Sequence, residues 1–433
     1  METITVGILG IAGLLVLLAT GMPIGIAMSV VGVIGFGALA SMDAAIGLFG
    51  IVPYATCASY TLSVLPLFIL MGEFAFRSGL SSELFTAFHR WIGFLPGGLA
   101  MASVAGCAGF GAICGTSPAT AATMGTIAIP EMKKYRYSPS LATGAVAAGG
   151  TLGIMIPPSM GFIMYGVVTE NSIVKLFTAG MLPGILLASM FCGTIWYIVR
   201  KDPGKGPAGP RFTIKEKMAV LKLTWGIIAL FVIMIGGMLI GLFTATEGAA
   251  VGAFGSLLFM IGKRKMSWKN LSLALLETGK VASMVFVIMI GAYLFGYFLT
   301  ATKIPVFVTG VLTGLPLPPT MVLICILVFY MFLGCIMDAL AMIVLTVPIF
   351  YPTVIALGYD PIWFGVLIVV IMEQALITPP VGMNCYIIAG VDPETPLEKI
   401  FTGIGPFWVT MLIFVVILIL FPQIPLLLPN LIH

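Results

Sequence analysis

The chain has 433 residues, of which 60% are apolar and only 8% charged, with a formal net charge of +4. A soluble domain is usually about 25% charged, so a water-soluble fold of this length could not cover its surface, and lipid must be the solvent for most of it. The small net charge gives no reason to expect a nucleic-acid partner, and the basic residues gather in a few loops, the pattern of the positive-inside rule.

A spanning helix needs about 20 apolar residues, which sets the ruler for the chain. Apolar runs at 4–20 and 24–41 flank a turn at Gly21-Met22-Pro23, and a third span is expected at 57–76. The start of the chain lacks the basic n-region of a cleaved signal, so the first run is expected to be retained. Segment 79–93 carries Glu83, His89 and Arg90 and reads as an amphipathic interfacial helix. Residues 97–130 are rich in Gly, Ala, Ser and Thr. After Lys133, Lys134 and Arg136 comes an apolar segment, 139–168, interrupted by Pro157-Pro158, and then a span at 178–199. Residues 200–222 hold seven Lys or Arg together with Pro203, Pro207 and Pro210, and read as a cytoplasmic linker. Further spans are expected at 223–243, 247–262, 275–300, 319–350, 363–390 and 402–421, with a second basic loop at 263–269.

The chain repeats itself. Ile154-Met155-Ile156-Pro157-Pro158 matches Leu376-Ile377-Thr378-Pro379-Pro380 at an offset of 222. Lys175-Leu176-Phe177-Thr178 matches Lys399-Ile400-Phe401-Thr402 at 224, Ile129-Pro130 matches Val347-Pro348 at 218, and Met71-Gly72 matches Ile290-Gly291 at 219. Four matches in one order at nearly one spacing indicate two related units, 1–199 and 223–433. The loop after Pro130 is basic, whereas 349–361 holds no Lys or Arg and one acid, Asp360. Equivalent loops are therefore expected on opposite sides of the membrane, the inverted-repeat pattern of secondary transporters.

Segments 97–130 and 319–350 have polar or Gly-rich middles, Cys114 to Thr120 and Gly334 to Ala339, and read as re-entrant hairpins with a break at Pro118 in the first. Their tips would offer half-helix N-termini to an anion and free carbonyls to a small cation. In the broken helices 139–168 and 363–390, proline removes an N–H and displaces the carbonyl four residues earlier. That count predicts freed acceptors at Gly153 and Ile154, and at Ala375 and Leu376, with Ile156 and Thr378 turned out at the breaks themselves. Hard cations take such oxygens; the competing reading is a kink made for packing.

Ionisable groups inside spans are functional candidates. Asp338, at the second tip, leads; Glu373 stands one turn before the second break; Glu73 and Arg77 are spaced to pair with each other. Ser159 and Asn384 follow the two breaks and are placed to face a substrate. The seven cysteines form no CxxC pair and read as small core residues. There is no HExxH and no GxxxxGK[ST] loop, and Gly115-Thr116-Ser117-Pro118-Ala119 lacks the second Gly of a hydrolase elbow. An enzyme is not expected, and ATP is not the expected fuel.

The stretch GxxCGTSPATAATMGTIAIPEM (Gly111 to Met132), the stretch GGTLGIMIPPSMGFIMYGVVTENSIVKLFTAGMLPG (Gly149 to Gly184) and the TPP at 378–380 closely resemble the large membrane subunit of tripartite ATP-independent periplasmic (TRAP) transporters. The likeness covers essentially the whole chain. It implies an all-α polytopic membrane protein of the elevator-type ion-transporter superfamily, in the bacterial inner membrane, importing organic acid anions such as dicarboxylates or sialic acid with sodium. It also implies a periplasmic binding protein and a small four-helix membrane subunit, here a separate chain, and no cofactor other than coupling sodium ions. Carried over residue by residue, one sodium site would use Thr116 and Ser117 with Gly153, Ile156 and Pro158. The other would use Gly334, Ala375 and Thr378 with Pro380 or Val381, and Asp338 beside it. The substrate would meet Ser117, Ser159, Asp338 and Asn384. Ala375 stands where many members of the family have Gly. Alternatives are a stand-alone sodium- or proton-coupled anion carrier, the latter using Asp338 and Glu373, and a channel or structural subunit.

Overall fold

The computed structural model describes residues 3–431, which are helical apart from short connections, with no strand among them. Seven helices, or eight if one bent pair counts as a single span, are long and apolar enough to cross a membrane among the described residues. Helices α1 (Thr3–Ala19) and α2 (Ile24–Leu39) flank the expected turn, where Gly21 has a φ of +83°. Glycine adopts that left-handed backbone without a Cβ penalty.

The expected third span at 57–76 is corrected to two helices, α3 (Met42–Cys57) and α4 (Val64–Ser78). Asp43, Pro53 and two glycines had obscured α3, which starts because the Ser41 side chain accepts from Ala44 N–H at 3.2 Å. Helix α5 (Leu80–Ile92) turns 65° away from α4. Its apolar side, with Leu84, Phe85 and Ala87 buried, lies on α6 (Gly98–Cys114) and α12 (Ile214–Leu239). Protein rather than lipid therefore covers the face read as interfacial.

Helix α7 (Ser117–Lys134) follows α6 after the two-residue break Gly115-Thr116. Pro118 is not the break. It sits in the first turn of α7, where its missing N–H costs nothing. The segment 139–168 is α8 (Pro139–Gly150), the short α9 (Leu152–Met155) and α10 (Met160–Thr169), and α11 (Ile173–Lys201) follows unbroken. The linker is shorter than 200–222: α11 runs through Lys201 and α12 begins at Ile214, fixed by a Thr213–Glu216 capping box. Next come α13 (Ala245–Gly262), capped in the same way by Thr244 and Glu247, and α14 (Trp268–Thr302). The short α15 (Ile304–Thr313), not foreseen, precedes α16 (Pro319–Gly334) and α17 (Ala339–Ala356). Helices α18 (Pro361–Ala375), α19 (Met383–Val391) and α20 (Leu397–Leu420) close the chain, apart from single turns at its end.

Packing between distant helices relies on small residues, which let backbones approach in lipid as in other membrane bundles. A Cβ on Gly144 of α8 would lie 2.5 Å from Gly403 O of α20, and one on Gly25 of α2 would lie 2.5 Å from Val287 O of α14. Two further pairings are reciprocal: α7 packs on α19, and α10 packs on α17. The 31-residue segment 139–169 orders the ends of the molecule. At its start, Ser138 N–H donates to Lys205 O at 2.9 Å, and linker Gly209 N–H donates to Gly93 O at 2.9 Å. At its far end, Tyr165 O–H donates to Pro361 O at 2.7 Å and Asn171 Nδ2 to Tyr351 O–H at 3.0 Å. The basic residues at the C-terminal end of α7 and the Lys-free loop after α17 thus lie at opposite ends of this segment.

Cys107 and Cys385 are buried as expected, but Cys57 and Cys325 are exposed on helix surfaces. In a bilayer protein, apolar exterior is as natural for a thiol as the core, so the expectation of core placement is corrected for those two.

Candidate functional site

The two helices break where the sequence places the breaks, between Met155 and Met160 and between Ala375 and Met383. Both Pro157–Pro158 and Pro379–Pro380 are cis. Chain that leaves the helical ladder must find new partners for its polar groups, and the two breaks do so differently.

At the first break, Met160 N–H donates to Gly115 O at 3.1 Å, tying the broken helix to the α6–α7 tip. Added Cβ atoms locate the approach. One on Gly115, whose φ is +69°, would lie 2.8 Å from Pro158 O; one on Gly153 would lie 2.7 Å from Thr116 O and would collide with Thr120 Oγ1. Thr116, Ser117, Gly153 and Pro158 are therefore brought together, with Ile156 extended between them (φ −92°, ψ 122°). Among the described residues no backbone N–H reaches the carbonyls of Gly153, Ile156 or Pro158. Thr120 was missed in the sequence; it stands one turn after Thr116 and donates its hydroxyl to Thr116 O at 2.7 Å. Ser159 is buried and caps α10, accepting from Phe162 N–H at 3.3 Å.

At the second break, the carbonyls expected to be free have found donors. Ala375 O accepts from Thr378 N–H at 3.0 Å, and Leu376 O accepts from Asn384 N–H at 3.1 Å. Proline did release them from the ladder, but the chain turns back tightly enough to supply two other N–H groups. Gly334 approaches Ala375 closely, a Cβ on it lying 2.5 Å from the Ala375 Cβ. The Thr378 hydroxyl donates to Gln374 O at 2.6 Å and accepts from Trp408 Nε1 at 2.9 Å. Asp338 caps α17, accepting from Leu340 N–H at 3.1 Å. The breaks also differ in exposure. Residues 151–160 are all buried, whereas Pro379, Pro380 and Val381 (45% exposed) and, at the second tip, Ile336 (81% exposed) face outward.

Between the two breaks lies a set of buried polar side chains. Ser117 Oγ donates to Glu373 Oε2, across 256 residues of sequence. Glu373 is 1% exposed, and among the described residues neither its Oε1 nor either polar atom of the fully buried Gln374 has a partner. Asn384 Nδ2 donates to Ala147 O at 3.3 Å, leaving its Oδ1 unpaired. Unpaired buried oxygens of this kind suit a hydrated cation or a polar ligand. Glu73 pairs with Arg77 at 3.0 Å within α4, and its neighbour Gly72 packs against Cys114 beside the α6–α7 tip. At the α7 end of the molecule, Lys133 binds Asp392 at 2.6 Å and Glu394 at 2.8 Å, a link that sequence spacing could not reveal.

Residues 11–424 match the family model described as "Tripartite ATP-independent periplasmic transporter, DctM component". The C4-dicarboxylate TRAP transporter large permease protein of Pseudomonas aeruginosa is 38% identical over 87% of this chain and 88% of that protein. The isethionate TRAP transporter permease protein DctMQ of Oleidesulfovibrio alaskensis is 33% identical over 94% of this chain, which spans 64% of that longer protein. In fold alone, the YdaH transporter of Alcanivorax borkumensis is similar, with a TM-score of 0.62 at 16% identity, covering 89% of this chain and 90% of that one. This chain, with its apolar spans and paired helix breaks, belongs to the DctM component family of tripartite ATP-independent periplasmic transporters, and is a multi-pass inner-membrane transport protein rather than an enzyme.

Proposed function

We propose that the chain is the translocating subunit of a sodium-coupled importer of small organic acid anions. It takes its substrate from a periplasmic binding protein, and a small four-helix membrane subunit braces it. The observation that carries this reading is the close approach of the α6–α7 tip, at Gly115 and Thr116, to a break whose carbonyls at Gly153, Ile156 and Pro158 accept no backbone N–H among the described residues. Oxygens without donors are what a hard cation needs, so the carbonyls of Gly153, Ile156 and Pro158, with the hydroxyls of Thr116 and Ser117, hold the first sodium, while Thr116 O is taken by Thr120. Thr120 adds a hydroxyl there. Gly334, Ala375, Thr378 and Pro380 or Val381 form the second site through Gly334 O and Thr378 O, which accept no backbone N–H among the described residues. Sodium is cargo at both. The anion lies between the N-termini of α7 and α17, where the helix dipoles favour negative charge, within reach of Ser117, Ser159, Asp338 and Asn384. Both relatives described above are named for organic anions, which supports this substrate class.

The two units, 1–199 and 223–433, are inverted copies, with α6–α7 and α16–α17 as re-entrant hairpins. Reciprocal packing of α7 on α19 and α10 on α17, and the opposite placement of the loops after α7 and α17, support that arrangement. The block bearing hairpins and breaks then slides as an elevator against α2, α4, α13 and α14, which pack chiefly on one another. Each net positive charge carried inward gains about 2.3 kcal/mol per 100 mV.

The test is uptake of labelled dicarboxylate and sulfonate anions into proteoliposomes under an imposed sodium gradient, with and without the cognate binding protein and small subunit. Accumulation that needs sodium and the binding protein is expected. Accumulation independent of sodium would refute the coupling, and full-rate uptake by the purified chain alone would refute the delivery step.

A further inference from the structure

We propose that Glu373 is the positioning residue of the first sodium site, acting through the hydroxyl of Ser117; this rests on the sodium-coupled reading above. Glu373 lies in the last turn of α18, five residues before Thr378 and the second break, yet its side chain reaches the first residue of α7. Among the described residues the sole hydrogen-bond partner of its side chain is Ser117, and no ion pair includes it. A carboxyl so placed is a poor packing residue, because burial without a cationic partner is costly and an apolar side chain of the same size would fill the space better. Its position makes sense if a cation comes to it.

A serine hydroxyl has one proton and two lone pairs. When the proton is given to Glu373, the rotor is fixed and the lone pairs turn away from the carboxyl. Ser117 and Thr116 are consecutive, and Thr116 O is the atom that an added Gly153 Cβ would meet at 2.7 Å. The Ser117 oxygen is thereby oriented and polarised by the Glu373 carboxyl, next to Thr116, the residue that approaches Gly153. Metal ligands are commonly held this way by an outer carboxylate, and loss of such a partner typically lowers affinity about 10–100-fold. The same side chain belongs to the second break, so the two sites share one piece of structure: α18 carries Ala375, and through Glu373 it also sets Ser117. Glu373 Oε1, which meets no donor, leaves the carboxylate free to shift its weight toward a bound ion.

The experiment uses the full chain in detergent and in proteoliposomes, with sodium chloride titrated against choline chloride at constant ionic strength. Readouts are the sodium-dependent rise in thermal midpoint and the sodium dependence of anion uptake, for wild type, Glu373→Gln, Ser117→Ala and the double variant. Glu373→Gln keeps an acceptor for the hydroxyl but removes the charge. It is expected to raise the sodium half-saturation about 10-fold or more in both readouts, with maximal uptake at saturating sodium preserved. In the Ser117→Ala background the same change is expected to add nothing, because residues acting as one unit are not additive. Glu373→Asp, which retains the charge one methylene short, is expected to recover part of the affinity. A sodium-responsive wild type with an unaltered Glu373→Gln, an undiminished effect in the Ser117→Ala background, or a Glu373→Asp no better than Glu373→Gln would overturn the proposal alone. A wild-type midpoint indifferent to sodium would instead overturn the sodium-coupled reading and take this inference with it.

Discussion

Gly153→Ala tests how closely the α6–α7 tip must approach the first break. The new methyl carbon would lie 2.7 Å from Thr116 O and in collision with Thr120 Oγ1, where an unstrained contact begins at 3.4 Å. The tip must therefore retreat by at least about 0.7 Å, since both obstacles are in α7 or its cap and neither is the far end of a flexible chain. Overpacking of this kind costs about 1–3 kcal/mol. A retreat separates Thr116 and Ser117 from Gly153 and Pro158, so the cost falls on the closed, ion-holding arrangement. With about 1.4 kcal/mol for each factor of ten, the sodium half-saturation is expected to rise about 5- to 150-fold. The assay is the same sodium titration of thermal midpoint and uptake. Gly193→Ala in α11 serves as control, because a Cβ there meets nothing within 4 Å. A Gly153→Ala protein with wild-type sodium dependence would show that the tip and the break do not form one site.

Asp338→Ala should lower uptake and loosen the start of α17, with about 1 kcal/mol lost from the cap; Asp338→Asn keeps the cap, so normal uptake in Asp338→Asn would remove the charge from the mechanism. Lys133→Ala breaks the link to the buried Asp392, and about 1.5–3 kcal/mol is at stake for a hydrogen bond to a charged group. The expected result is a lower thermal midpoint with faster thiol labelling of cysteines placed at 391–394; unchanged labelling would mean that the link does not hold α7 to α19. Thr244→Ala removes the capping box of α13 and should cost about 1 kcal/mol without altering sodium dependence. A shift in sodium half-saturation there would contradict the separation of scaffold and ion site.

Much of this protein was legible in its residues because lipid is a demanding solvent. The shortage of charge, the run lengths and the clustering of Lys and Arg declare a polytopic membrane protein, and proline geometry declares where two helices must break. The duplicated Ile-Pro-Pro and Thr-Pro-Pro segments, with the long glycine-rich signatures around them, pointed to the family that the comparisons establish. Local chemistry alone could not reveal α3, whose Pro53 and glycines hide a helix that neighbouring α2 and α14 stabilise by packing. It also could not say which freed carbonyls stay open. Proline takes a donor from Gly153 and from Ala375 alike, but only the second chain segment folds back to offer another N–H. The Ser117–Glu373 and Lys133–Asp392 contacts join residues more than 250 positions apart. Such pairings depend on how helices cross, which is settled by side-chain shape over the whole interior, and no short stretch of sequence holds that information.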